Sequence, residues 1–543
     1  MTNLRRTLGR TALGAACGLP AGFAALAAAE PTAAAVRPAA GPVTVVGGAA
    51  IDRTPAAVKD WAIRAFGESD KLALQAGILA VLALCAVLVG VLALRHRRLG
   101  TAGVLLFGAV GAAAALGRPD SGGPADALPS LVAAAVGAAV LHFLATRATP
   151  GLQPTDPGPD PASDSARTGS APAGSATTAG SRRGFLVAAG ATTVGAVAAG
   201  ASGRALAGRR GQAAAASREA LRLPPPASPA PPLPAGVAVR VPGVSPFTTP
   251  AADFYRVDTA LVVPEVDVSG WRLRLHGEGV TRPRTYTFAE LLARPLTERY
   301  ATLTCVSNEV GGPYVGTARW LGVPLAELLR EAGVRPPSQG GRADQLVARS
   351  VDGMTIGTPV EDVMDGRDAL LAVGMNGEPL PFERGFPVRM VVPGLYGYVS
   401  ACKWIEEIEL TTFAAHDAYW VRRKWARRAP VKTQSRIDTP RPFSRPAAGV
   451  VMVAGVAWAQ RRGIRRVEVR VDDGPWQEAR LAAEGTVDTW RQWSFPWRAT
   501  PGGHTLTVRA TDGTGAVQTE RRTRTVPDGA SGRHGVFVTV TAP

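Results

Sequence analysis

The residue types best suited to chemistry gather in one stretch, Ala301 to Leu329: ATLTCVSNEVGGPYVGTARWLGVPLAELL. Cys305 follows a short run, Tyr300, Thr302, Leu303 and Thr304, that reads as the end of a strand. Gly311, Gly312 and Pro313 then force a loop, and Trp320 to Leu329 restarts an apolar helical pattern. A thiolate on a loop between scaffold elements suits a nucleophile or a soft-metal ligand, because a bound metal keeps the sulfur deprotonated. A lone cysteine also suits a buried structural role. The other cysteines are Cys17 and Cys85, both in apolar segments, and Cys402. The sequence has no CxxC pair and no His/Cys cluster, so zinc and iron–sulfur sites have no support.

The elements that must position Cys305 belong to a chain of 543 residues, enough for several domains. Charged residues make up only 19% and the mean hydropathy is +0.07, so membrane segments are expected. The formal net charge of +17 allows nucleic-acid binding, but the arginines are scattered and no basic helix interleaved with aromatics exists. No nucleic-acid partner is expected.

Residues 1–210 read as a membrane anchor of about five helices. Arg5, Arg6 and Arg10 precede the apolar run Thr11 to Ala29, which suits either a cleaved signal peptide or a first membrane helix. Glu30 to Lys71 reads as an exposed loop. Leu72 to Leu94 carries no charge and is long enough to span. Arg95, His96, Arg97 and Arg98 mark its cytoplasmic end. Thr101 to Leu116 and Leu128 to Thr146 are further spans. Thr149 to Gly180 is a polar linker, and Ser181-Arg182-Arg183-Gly184-Phe185-Leu186 before Val187 to Ala207 resembles a twin-arginine export signal. With the N-terminus inside, five crossings put Arg95–Arg98 and the Arg182/Arg183 linker inside and everything after about Ala207 outside, on the extracytoplasmic side of the cell membrane.

Residues 211–246 are proline-rich, and Leu223 to Pro234 reads as a semi-rigid spacer. Residues 247–415 mix short strands with short helices, read over Phe288 to Leu292 and Leu325 to Glu331, without a βαβ rhythm, which is α+β. Residues 416–449 read as a connector. From 450 to 543, alternating strands with Asp473-Gly474, Gly502-Gly503 and Asp512-Gly513 in turns suggest a β-sandwich, with Trp476, Trp490 and Trp493 as core or interface residues.

The words C-V-S-N, G-T-A-R-W-L-G-V-P-L and F-P-V-R-M-V-V-P-G-L-Y-G-Y ending in K-W resemble the sulfite oxidase family of molybdopterin enzymes, from about Phe247 to the C-terminus. The resemblance implies a molybdenum–molybdopterin cofactor (Moco) with Cys305 as its one protein ligand. It implies cofactor contacts from Tyr255, Arg256, Asn308, Arg384, Arg389, Ser400 and Lys403. It also implies an immunoglobulin-like C-terminal domain, carried by GVAW, RRVEVRVDDGPWQEARL and TLTVRATDGTG, that serves dimerisation. The implied activity is two-electron oxo transfer on a small molecule, with an external cytochrome or membrane quinol as electron partner. His96 and His142 are a weak pair for a haem.

Departures from the family pattern turn the reading away from sulfite. Glu309 stands where an arginine follows the C-x-x-N run, Tyr398 or Val399 where another precedes the S-x-K-W segment, and Met354 where a tyrosine follows Asp352-Gly353. A carboxylate beside the pocket repels a dianion. Glu309 is either a proton-transfer group or a solvated loop acid. The competing reading is a non-catalytic extracytoplasmic module that kept the fold and lost the metal, with Cys305 and Cys402 joined in a disulfide.

Overall fold

The computed structural model describes residues 2–54, 58, 70–118, 121, 123–148, 177–260 and 262–542. The polar linker expected after Thr149 lies outside them up to residue 176. The chain divides into two compact units, Met1–Gly211 and Gln212–Pro543.

The first unit is helical. Its helices are α1 (Thr2–Val36), α2 (Pro42–Arg53), α3 (Asp70–Arg95), α4 (Arg97–Leu116), α5 (Leu128–Ala148) and α6 (Thr177–Ala220), which runs on into the second unit. Five stretches of these are long and apolar enough to cross a membrane: Gly9–Val36, Gln75–Arg95, Arg97–Leu116, Pro124–Ala148 and Gly184–Ala220. Small residues let the helices approach, as where Gly108 of α4 meets Ala134 and Ser130 of α5. The segment expected as an exposed loop after Glu30 is instead helical up to Val36 and again over α2, because its alanine-rich stretch favours helix.

In the second unit the proline-dense segment follows the end of α6. It is packed along the unit rather than held off as a spacer: Leu223 and Leu233 lie against the main core, and Ser228 bridges Thr297. The α+β part has ten strands. They are β1 (Arg272–Gly277), β2 (Arg284–Thr287), β3 (Thr297–Thr304), β4 (Val315–Pro324), β5 (Gln345–Ser350), β6 (Thr355–Pro359), β7 (Leu370–Met375), β8 (Glu378–Pro379), β9 (Arg389–Val391) and β10 (Ile405–Thr411). One sheet runs β2-β1-β10-β5-β6, and the other runs β3-β4-β7-β8 with β9 paired to β7. Short helices α7 (Phe288–Leu292), α8 (Leu325–Glu331), α9 (Val360–Met364) and α10 (Gly397–Ser400) fill the connections. A capping box at Thr287 and Glu290 starts α7.

The apolar pattern read as helical from Trp320 spans two elements, and the helix read over Leu325 to Glu331 is α8. Trp320 to Pro324 is the end of β4, a strand paired on both sides and buried on both faces, so its apolar residues run without alternation.

The C-terminal part holds β11 (Gln434–Thr439), β12 (Gly449–Trp458), β13 (Ile464–Val471), β14 (Gln477–Glu478), β15 (Arg480–Leu481), β16 (Arg491–Ala499), β17 (Gly502–Asp512) and β18 (His534–Val540). Two antiparallel sheets, β11-β12-β16-β15 and β14-β13-β17-β18, close over a common core that includes Val453, Val467, Trp493, Leu506 and Val538. The sandwich therefore starts at β11, inside the segment expected to be a connector. Trp490 packs instead with the α+β core, and its indole N–H donates to the Phe247 carbonyl at 2.9 Å.

Candidate functional site

Cys305 leaves the end of β3, and its loop is tied by backbone bonds before β4 begins. The Cys305 N–H donates to the Tyr314 carbonyl at 3.0 Å, and the Asn308 N–H to the Cys305 carbonyl at 3.1 Å. The buried Asn308 side chain accepts the Tyr314 N–H at 2.8 Å. Asn308 thus shapes the loop through its carbonyl oxygen. Gly311 sits at φ 81°, a conformation that favours glycine, and any added side-chain carbon would collide with the His534 ring of β18. Arg436 of β11 donates to the Gly312 carbonyl at 2.9 Å. The sandwich therefore braces the cysteine loop, and it also grips β3: Trp490 N–H donates to Thr302 Oγ1 at 2.7 Å.

The Cys305 sulfur opens on a cleft enclosing about 870 Å³ of empty space, open solvent at its mouth included. Arg389 and Lys403 share its wall. Arg389 is buried on β9, 4.9 Å over the Trp320 ring; one of its terminal nitrogens donates to the Arg384 carbonyl at 3.1 Å. Its Nε–H has no hydrogen-bond partner among the described residues. An orphaned N–H on a buried cation is costly, and an anionic ligand in the cleft removes that cost. Burial lowers the guanidinium to about 10. Lys403 Nζ donates to Asp258 Oδ2 at 2.7 Å, and burial lowers it to about 8 against the pull of that carboxylate. Burial raises the Cys305 thiol above its ordinary range, while the Ser307 N–H at 3.4 Å and Lys403 draw it back. Tyr255 also lines the cleft, stacked on Phe254 at 5.1 Å, and burial raises its phenol.

The remaining expected site residues are placed differently. Arg384 is buried, but its guanidinium donates to the carbonyls of Ala251, Ala252 and Tyr255 at 3.0–3.2 Å. It clamps the segment that carries Tyr255 instead of lining the cleft. Ser400 is fully buried and donates to the Leu395 and Tyr396 carbonyls at 3.0 Å. Arg256 is exposed and pairs with Asp258 at 3.0 Å. Glu309 is exposed and outside the cleft lining. The carbonyls that occupy Arg384 and Ser400 come from a distant segment and a preceding turn, which no local motif reveals. Cys402 is fully buried, and both it and Cys305 are free thiols, so the expected disulfide of the non-catalytic reading is absent.

Several cleft residues escaped the sequence reading. Asp258 has a side chain only 1% exposed and holds both Arg256 and Lys403. Trp420 and Trp425 line the mouth with Tyr398 and Met354. Two tryptophans five residues apart, in W-V-R-R-K-W, were the available signal in a stretch assigned to a connector. Among the described residues no group of three or more His, Cys, Asp or Glu side chains could hold a metal, so a metal here rests on the single thiolate and on non-protein ligands.

Residues 260–420 match the family model "Oxidoreductase molybdopterin binding domain". The chain is 32% identical over 294 residues to sulfite oxidase from Gallus gallus, covering 46% of this chain and 63% of that protein. It is 33% identical over 197 residues to NADH nitrate reductase 1 from Arabidopsis thaliana, covering 32% of this chain and 21% of that one. The chain thus spans less than two-thirds of the length of these curated relatives. Among solved structures, the sulfane dehydrogenase SoxCD from Paracoccus pantotrophus is similar, with 27% identity, a TM-score of 0.47, and coverage of 54% of this chain and 81% of that one. The matched domain and these relatives imply molybdenum–molybdopterin as the cofactor. The donor set fits it: a soft sulfur, a buried guanidinium with a free N–H, and an ammonium at the wall of one cleft.

Proposed function

We propose that this chain is a membrane-anchored, extracytoplasmic enzyme of two-electron oxo transfer in the sulfite oxidase family of molybdopterin-dependent oxidoreductases, a reading supported by the family-model match of residues 260–420 and by the similarity to sulfite oxidase. The observation that carries the reading is the buried Cys305 sulfur sharing a cleft with an unsatisfied Arg389 N–H. When bound, molybdenum–molybdopterin supplies a two-electron couple and an exchangeable oxygen atom. Cys305 serves as its one protein ligand to the metal. Arg389 offers its free Nε–H to an anionic group of the pterin, and Lys403 adds positive charge beside it. Tyr255 closes the wall, held in place by the clamp of Arg384 on its carbonyl. Asp258 fixes the Lys403 ammonium and keeps it from swinging into solvent.

The net reaction moves one oxygen atom and two electrons, with water and two protons completing the balance. A small molecule other than sulfite is the substrate. The electrons pass to or from an external cytochrome or a membrane quinol. The five apolar helices support the anchor, and the immunoglobulin-like sandwich is the candidate surface for a homodimer. Metal analysis of the purified full chain tests the enzyme reading. Molybdenum near one per chain that disappears in Cys305→Ser supports it; metal-free protein of native stability overturns it and favours the non-catalytic module.

A further inference from the structure

Positive charge and aromatic area meet on the outward face of the sheet β14-β13-β17-β18, none of whose residues lines the cysteine cleft. The register sets Arg470 opposite Thr507 and Thr507 opposite Gly535, and the neighbouring row sets Thr505 opposite Phe537. Side chains two apart on a strand share a face, so the two rows lie side by side. The Trp476 ring, just before β14, has the Arg470, Arg509 and Arg533 guanidiniums 5.1, 4.3 and 5.1 Å from its centroid, and so spans the sheet from β13 to β18. The connection from β11 to β12 forms the rim beyond β18. There Phe443 is 79% exposed at a left-handed φ of 60°, and its N–H donates to the Phe537 carbonyl at 2.7 Å. The two rings stand 6.3 Å apart, with Phe537 45% exposed.

Pro440, Pro442 and Pro446 stiffen this rim, and Arg441 and Arg445 flank Phe443. Both arginines are exposed, and their side chains have no hydrogen-bond or ion-pair partner among the described residues. The Arg470 Nε–H is likewise unmatched. The carboxylates of the face are committed or distant. Glu468 holds Arg509 at 2.8 and 3.0 Å, Asp472 accepts from His504 at 2.8 Å and from the Thr505 N–H at 2.7 Å, and Glu520 pairs with Arg533 at 2.8 Å. Glu478 stands on β14, the opposite edge of the sheet from β18. A left-handed phenylalanine is held at a backbone cost, and here it thrusts an apolar ring into solvent between two free cations. Such a tip suits a surface with acyl chains beneath anionic headgroups, where rings enter and guanidiniums stay at the phosphates. A second copy of the same face would set Arg441 and Arg445 against themselves, with no free carboxylate on this rim to pair them.

Resting on the membrane-anchored reading above but not on the chemistry of the cleft, we infer that this face of the sandwich lies on the bilayer surface. Phe443 and Phe537 enter the acyl boundary, Trp476 sits at headgroup level, and Arg441, Arg445 and Arg470 bind the phosphates of anionic lipids. Five stretches of the same chain are long and apolar enough to cross a membrane, so even a shallow tip meets lipid at high local concentration.

The test places the full chain in nanodiscs of phosphatidylglycerol, with and without bromine on the acyl chains, and compares Phe443→Trp with wild type. The added indole emission is expected to fall about twofold or more in the brominated discs. It is expected to hold steady in brominated phosphatidylcholine discs, and in brominated phosphatidylglycerol discs once Arg441→Glu and Arg445→Glu accompany Phe443→Trp. Added emission that stays unquenched in brominated phosphatidylglycerol, or is quenched equally under all these conditions, overturns this inference alone. A blue shift seen only in discs holding two chains assigns the patch to a second copy and overturns it as well. Should Phe443→Trp misfold, hydrogen exchange on the wild type decides: slower exchange over residues 440–448 in phosphatidylglycerol than in phosphatidylcholine supports the contact, and equal exchange overturns it. A chain that enters neither kind of disc overturns the anchored reading beneath.

Discussion

Arg389 shows what one residue can reveal. A guanidinium buried on a strand, with one N–H unmatched, is held at a cost that an empty protein has no reason to bear. Arg389→Met should therefore leave the apo protein as stable as wild type or slightly more so, while cofactor content falls by about tenfold or more. Thermal unfolding and metal analysis of the same preparations check both halves. Asp258→Asn makes a different case, because it frees the buried Lys403 ammonium and the rim residue Arg256 together. Removing one member of a buried pair costs about 3–5 kcal/mol where burial is complete; the half-exposed Arg256 adds little. A midpoint shift in denaturant unfolding measures it.

At the scale of elements, the loop between β3 and β4 depends on a partner far along the chain. Gly311 backs onto the His534 ring, whose Nδ1 accepts the Ile437 N–H at 3.0 Å. Gly311→Ala both forces a left-handed alanine and strikes that ring, and should cost about 1–3 kcal/mol with loss of bound metal. The imidazole itself is held down to about 4, first by burial and then by Arg436 and Arg522, with Asp438 opposing. Its folded value lies below its unfolded one, so the stability it contributes is complete above about pH 6.5 and drains away as pH falls towards 4. The loss is at most about 3 kcal/mol. Denaturation midpoints at pH 7 and pH 4.5 measure it, and His534→Gln should flatten the difference.

These elements also show which parts of the chain could be read in advance. That Cys305, Arg389 and Lys403 share one cleft was legible because each sits within a recognisable word of the sequence. Arg384 and Ser400 were not, since what settles their role is which carbonyl lies opposite, and that is decided by packing. Leu325 to Glu331 was read as the helix it is, but the helical pattern begun at Trp320 ran over the end of β4 for a related reason. A strand buried on both faces and a buried helix present the same unbroken apolar text, and only the pairing of β4 with β3 and β7 separates them. The α+β mixture, the sandwich strands and the apolar helices followed from periodicity and turn residues, which act locally. Asp258 lay in a segment without periodicity, where nothing marked it, and the tryptophan pair of W-V-R-R-K-W was marked only by its own spacing.

For the whole molecule, the arrangement of charge and apolar length leads to a topology that can be tested. If the chain crosses five times, alkaline phosphatase fused after Arg98 should be inactive and fused after Pro543 active, since the first junction follows a basic cytoplasmic flank. Equal activity at both junctions contradicts an odd number of crossings between them. Blocking export of folded protein should leave the full chain in the membrane with its last domains protease-protected. The oligomeric state of the same detergent-purified chain tests the sandwich as a dimer surface.

One backbone bond carries a longer consequence. The Ala426 N–H, beside the tryptophan pair, donates to the carbonyl of Pro527 at 2.9 Å, in the strand-connecting segment just before β18. The doorway of the cleft is thereby hung on a hinge post belonging to another part of the polypeptide. A lineage could retune which guests are admitted by editing residues near 527, leaving every doorway side chain unchanged, and a survey of natural variation confined to the cleft would overlook the change.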